Sequence, residues 1–165
     1  MPERQLPPFR RVVTGHDDSG RAVIRANDLF DTEKIPSGDA NFQLVWTAPS
    51  LPVDNNDEVD GRARDAGLTL KGGSVIRVVD MLPGRESPMH RTNSLDYGIV
   101  LSGTLQLELD DGSVTTLEPG SIVVQRGTMH LWRNPSESEP CRIVFVLTEA
   151  LPYVHDDTPL EELHP

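Results

Sequence analysis

Apolar positions in this chain recur in short runs, several with a period of two, separated by turn-forming residues. The clearest case is TLQLELDDGSVTTL, where Leu105, Leu107 and Leu109 alternate with Gln106, Glu108 and Asp110. Asp111-Gly112 between the two halves is a favoured two-residue hairpin turn. Phe42 to Thr47 predicts a strand with Phe42, Leu44 and Trp46 on one face and Gln43, Val45 and Thr47 on the other. Ser74 to Leu82 is a more continuous apolar run, as in a sheet covered on both faces. Arg77 and Asp80 interrupt it. Salt-bridged edge positions are the favoured reading of that pair, with one side chain pointing into a polar cavity as the alternative. Asp96 to Leu101, Ile122 to Gln125, His130 to Arg133 and Arg142 to Thr148 predict further strands. Near the start, Arg11 to Thr14 and Arg21 to Arg25 flank the turn GHDDSG and predict a hairpin. Pro159 to Leu163 has the make-up of one helical turn. Gly84, Gly103, Gly120 and Gly127 fall where turns need a positive φ. Ten or eleven short strands joined by tight turns make an all-β sandwich or closed barrel, with a ligand cavity at its mouth.

Composition narrows this picture. A chain of 165 residues is expected to form one domain. Its 14 prolines and 13 glycines suit many turns rather than long helices. A net charge of −11 argues against nucleic acid and against anionic membrane surfaces as partners. The single cysteine, Cys141, permits no intrachain disulfide and reads as a small buried hydrophobe. No apolar run is long enough to cross a bilayer, and MPERQLPPFRR lacks the apolar core of a signal peptide, so a cytoplasmic location is expected. Residues 53–67 are densely charged and read as a surface loop. They superficially resemble a calcium loop, but Val59 stands where the sixth position requires glycine. His16, His155 and His164 lie in polar turns or the tail and read as solvated.

The remaining histidines carry the candidate chemistry. His90 and Thr92 share a face of an extended segment, Asp96 opens the next strand, and His130 and Trp132 share a face in a second motif. If the two motifs adjoin, His90, Asp96 and His130 converge as two imidazoles and a carboxylate. That set suits Fe(II), Mn(II), Ni(II) or Zn(II) with positions left open for substrate. It equally suits a metal-free site in which His130 moves a proton and Asp96 or His90 orients it. Thr92 and Gln125 are candidate hydrogen-bonding contacts to substrate, and Trp132 and Trp46 candidate aromatic contacts, with core packing as the alternative for both tryptophans. Arg77 is a candidate polar contact. Tyr97, next to Asp96, should face away from it.

Two stretches, Gly84 to Gly103 and Gly120 to Asn134, resemble the two motifs of the cupin superfamily. Gly84, His90, Asp96 and Gly103 match the first, with Thr92 where a second His is usual and Asp96 where Glu is usual. Gly120, Gly127, His130 and Asn134 match the second, which is one residue short and has Gln125-Arg126 in place of its proline. The resemblance implies a double-stranded β-helix, a jelly-roll-like barrel, over residues 72–148, with an N-terminal arm and flanking strands at 1–71 and an acidic tail at 149–165. Pro88 to Thr92, Ser94 to Tyr97 and Val124 to His130 are similar to a narrower group. These are small fungal cupin-domain oxidoreductases of polyketide pathways, including salicylaldehyde-type ones. The resemblance implies a small-molecule enzyme of secondary metabolism acting on a polyketide-derived aromatic or quinone-like intermediate. A metal-dependent oxidoreductase with His90, Asp96 and His130 as ligands is its leading form. A metal-free dehydratase, decarboxylase or isomerase is the second, and a non-catalytic binding barrel the third. It also implies a homodimer formed by exchange of N-terminal strands.

Overall fold

The computed structural model describes residues 4–164, so Met1 to Glu3 of the expected arm and Pro165 of the tail lie outside the described residues. The described residues form thirteen strands and one short 3-10 turn. A long hairpin comes first, β1 (Phe9–His16) and β2 (Ala22–Phe30), turning at the expected GHDDSG segment. Next come β3 (Glu33–Lys34), β4 (Ala40–Ala48) and a 3-10 turn at Gly61–Ala63. The barrel strands are β5 (Ser74–Met81), β6 (Ser94–Ser102), β7 (Leu105–Leu109), β8 (Val114–Leu117), β9 (Ile122–Arg126), β10 (His130–Arg133) and β11 (Cys141–Glu149). The tail folds back as β12 (Val154–His155) and β13 (Thr158–Pro159). The helical turn expected at Pro159–Leu163 does not form. Pro159 ends β13, and Leu163 exchanges backbone hydrogen bonds with Arg91, so the tail is held extended.

Two antiparallel sheets face each other, one of six strands in the order β3-β4-β5-β11-β6-β9 and one of three in the order β10-β7-β8. The six-stranded sheet therefore takes in β4, which lies before residue 72. The core between the sheets holds Val79 and Met81 from β5, Ile143 from β11, Val100 from β6, Leu105 from β7 and Trp132 from β10. Trp132 meets Phe145 across the sheets with ring centroids 5.2 Å apart. Cys141 is fully buried on β11, and burial pushes its thiol up to about 12, so it behaves as the expected small hydrophobe.

The outer face of the large sheet is also covered, which is why β5 shows no clean alternation. Asp80 points outward and is buried, taking both arms of the Arg142 guanidinium at 2.7 Å and the Thr32 hydroxyl at 2.7 Å. Arg142 donates onward to the Pro7 carbonyl, tying the N-terminal segment to the sheet. Arg11, also buried, pairs with Asp28 of β2 and with Asp60 of the 53–67 segment. That segment is thus pinned by ion pairs. Its start borders an outer cleft beneath the hairpin, and its end, at Gly67 and Leu68, reaches the barrel mouth.

A β-bulge at Val45 corrects one expectation. Leu44 aligns with Arg77 but Trp46 aligns with Ile76, so Leu44 and Trp46 lie on opposite faces. Trp46 packs outward against Gly61, where an added Cβ would come within 2.5 Å of its ring.

Candidate active site

The barrel mouth opens between the sheets into a cavity of about 100 Å³ whose lining includes His90, Thr92, Asp96, His130, Trp132 and Arg77. The inward parity of β5 and β6 supplies Arg77 and Asp96, and the backbone bridge His90–His130 supplies the imidazoles. His90 N–H donates to the His130 carbonyl at 2.9 Å and the reverse bond is 3.0 Å, so the two cupin-like stretches do lie side by side. Gly84, Gly103, Gly120 and Gly127 all have positive φ. Gly127 does so at +61°, in the turn that delivers His130 to the cavity.

The two imidazole centroids are 4.2 Å apart. His90 Nδ1 lies 2.8 Å from the Pro88 carbonyl, and His130 Nδ1 lies 2.8 Å from the Thr128 carbonyl. A carbonyl only accepts, so each Nδ1 carries the proton and each Nε2 keeps its lone pair. Burial is the largest cause of a low affinity for a second proton. It holds His130 down at about 4, helped by His90 and opposed by the bond to Thr128. Burial lowers His90 as well, against the bond to Pro88. Both rings are therefore neutral at physiological pH and offer acceptors.

Asp96 is buried on the neighbouring wall. Its Oδ1 accepts the Ser94 hydroxyl at 2.5 Å, and Ser94 is the residue two before it on the same face of β6. Burial pushes the Asp96 carboxyl up to about 6, and the Ser94 bond only partly offsets this. Asp96 makes no hydrogen bond to either imidazole among the described residues, so no carboxylate–imidazole relay forms and Asp96 does not orient His130.

The ligand set expected for a metal can be tested on this geometry. Two neutral Nε2 atoms are suitable donors. The carboxylate does not join them: among the described residues, no three His, Cys, Asp or Glu side chains are grouped closely enough to hold an ion. The residues as arranged do not fit a three-ligand centre.

The other expected contacts divide. Thr92 and Trp132 line the cavity, and Trp132 stands edge-on to His130 at 5.5 Å while forming part of the core. Gln125 pairs across strands with Asp96 and shares its face, but is held by Thr128. Its Nε2 is buried and without a partner among the described residues. Arg77 points inward rather than forming an edge salt bridge, while Asp80 points outward and does form one. Tyr97 faces away, half-exposed, as expected from its parity. His16, His155 and His164 are exposed, and Arg126 is exposed beside the mouth of a separate groove. Ser94, Phe42 and Phe145 were not singled out from the sequence. The signal for Ser94 was available in its spacing of two from Asp96; nothing local marks the two phenylalanines.

Comparison with known proteins places these features in context. A family model described as "Cupin domain" matches residues 77–147. The chain is 42% identical over 159 residues to the phomopsin biosynthesis cluster protein C' of Diaporthe leptostromiformis, covering 92% of this chain and 82% of that protein. It is 39% identical over 145 residues to the cupin-domain-containing oxidoreductase fogC of Aspergillus ruber, covering 84% and 71%. Among solved structures, a putative ethanolamine utilization protein from Salmonella typhimurium LT2 superposes with a TM-score of 0.50 at 11% identity. It covers 85% of this chain and 95% of that one, a likeness of fold alone.

Proposed function

Because this chain belongs to the cupin superfamily, its barrel being the expected double-stranded β-helix, we propose that it is an enzyme of secondary metabolism that moves a proton on a small, polyketide-derived oxygenated molecule. The observation that carries this is Asp96: a buried carboxyl on the cavity wall, in no ion pair among the described residues, raised to about 6 by burial. A group poised near the working pH both takes and returns a proton efficiently. His130, held near 4, is the weaker base. The proton therefore goes to Asp96. Substrate hydroxyls donate to the Nε2 atoms of His90 and His130, Trp132 packs against the carbon skeleton, and Thr92 offers a hydroxyl at the wall. Enolisation, dehydration and double-bond migration all need that set. Two relatives from Diaporthe leptostromiformis are named as proteins of a biosynthesis cluster, which supports the metabolic setting.

The test is deuterium incorporation at carbon from D2O, followed by NMR over a panel of one- and two-ring hydroxy- and keto-carbonyl compounds. Purified protein is expected to catalyse exchange at an acidic C–H of at least one compound. Asp96→Asn should lower that rate by about 10²- to 10⁴-fold, and exhaustive chelation should leave it unchanged. Exchange that persists in Asp96→Asn would contradict the proposal. Loss on chelation with recovery on adding Fe(II), Mn(II), Ni(II) or Zn(II) would favour the second reading, a metal-assisted oxidoreductase; the relative from Aspergillus ruber is named an oxidoreductase. The observation favouring that reading is the pair of neighbouring Nε2 lone pairs.

A further inference from the structure

The three arginines that the fold buries most are treated differently. Arg11, 6% exposed, pairs with Asp28 and Asp60, and Arg142, 8% exposed, pairs with Asp80. Arg77 is also 8% exposed, but among the described residues no carboxylate lies within 4.0 Å of it. Its Nη2 donates to the Gly67 carbonyl at 2.8 Å, its sole described acceptor, which leaves most of its five N–H donors for something else. Its surroundings are apolar. Across the sheet it aligns with Leu44 on β4 and Phe145 on β11, and along β5 its inward neighbours are Val75 and Val79. The Phe42 ring lies 5.7 Å from its Cζ. Burial without a compensating charge even lowers the proton affinity of this guanidinium.

A buried cation is ordinarily paired, because desolvation costs several kcal/mol otherwise. Nothing in the packing of the row requires a charge there. The two carboxylates on the cavity wall do not supply the partner: Asp96 is bonded to Ser94, and Asp39 to the Ser37 hydroxyl. Arg77 itself lines the cavity.

We propose that Arg77 is the counterion of the substrate, and that the site takes a small molecule whose carboxylate is attached to an apolar, ring-sized body. The planar fork of a guanidinium matches a carboxylate with two parallel hydrogen bonds. Phe42, Phe145 and Trp132 wall the space for the ring. Held at the β5 end by Arg77, the substrate presents its other end to Asp96 on β6, two strands away, at a lateral distance of about 9–10 Å at the usual strand spacing. This inference rests on the cavity being the substrate site, and it is independent of what Asp96 does there.

The experiment is calorimetric titration of the full chain at pH 7.5 and low salt with benzoate, and with its neutral isostere benzamide. Benzoate is expected to bind roughly tenfold or more tightly than benzamide, the worth of a charge-assisted pair. Arg77→Met should erase that preference and Arg77→Lys should keep part of it. Arg77→Met should melt no lower than the unsubstituted protein, since an apolar side chain replaces an unpaired cation among apolar neighbours. Equal affinity for the two probes in the unsubstituted protein would overturn the proposal, and so would a preference that survives in Arg77→Met. A lowered melting temperature with the preference intact would mark Arg77 as an anchor for Gly67 and overturn it too. If the benzoate preference holds while deuterium exchange is absent, the anion site stands and the proton-transfer reading falls; the converse result reverses that.

Discussion

Asp96 and His130 share one cavity and are perturbed by the same cause with opposite consequences. Burial disfavours the charged form of each, so the acid is held up at about 6 and the imidazole is held down at about 4. For Asp96 the folded protein binds the proton more tightly than the unfolded chain. Its contribution to stability therefore falls as pH rises from about 4 to about 6 and stays lost above that. Asp96→Asn removes this penalty. Measured by chemical denaturation, the variant and the unsubstituted protein should differ by a gap that widens in favour of the variant by about 2 kcal/mol between pH 4 and pH 7. A gap independent of pH would mean that Asp96 titrates normally. His130 runs the other way: the unfolded chain binds its proton more tightly, so its contribution grows as pH rises from about 4 to about 6.5. None of this was legible in the sequence, which shows an aspartate at a motif position but not the absence of a counterion around it. The same holds for Arg77. Its charge in an apolar run was visible, but which face it takes depends on register with β4 and β11.

At the scale of elements, the strands that alternate cleanly and the turns with Gly, Pro or Asx chemistry were readable: the β7–β8 hairpin at Asp111-Gly112, the β1–β2 hairpin, and the positive φ of Gly84, Gly103, Gly120 and Gly127. Trp46 was not, because one extra residue at Val45 flips every later side chain on β4. The Pro159–Leu163 segment had local helical make-up, but backbone bonds to Arg91 keep it extended. On β5 salt-bridged edge positions were the favoured reading of the two charged residues and one side chain in a cavity the alternative; their opposite parity realises both, Arg77 inward and Asp80 outward in an ion pair. The outward one is structural. Asp80→Ala strands the Arg142 guanidinium between the sheet and the N-terminal segment, and should lower unfolding free energy by about 3–5 kcal/mol in denaturant titration. A loss below about 1 kcal/mol would show that the pair is solvated.

At the scale of the molecule, the −11 net charge makes the surface repel anions, whereas the inward-facing Arg77, without a carboxylate partner among the described residues, is the proposed anion site within the barrel. The affinity of Asp96 for its proton is likewise a property of the whole barrel, since the six-stranded sheet, the β10 wall and the 84–93 segment must all be in place to keep water from it. The most direct test of the central claim is therefore an NMR titration of the Asp96 side-chain carboxyl carbon, assigned by comparison with Asp96→Asn. The expected midpoint is near pH 6, with no transition of His130 above pH 5. A carboxyl midpoint near 4 would show a solvated or ion-paired Asp96 and would contradict the proton-transfer site.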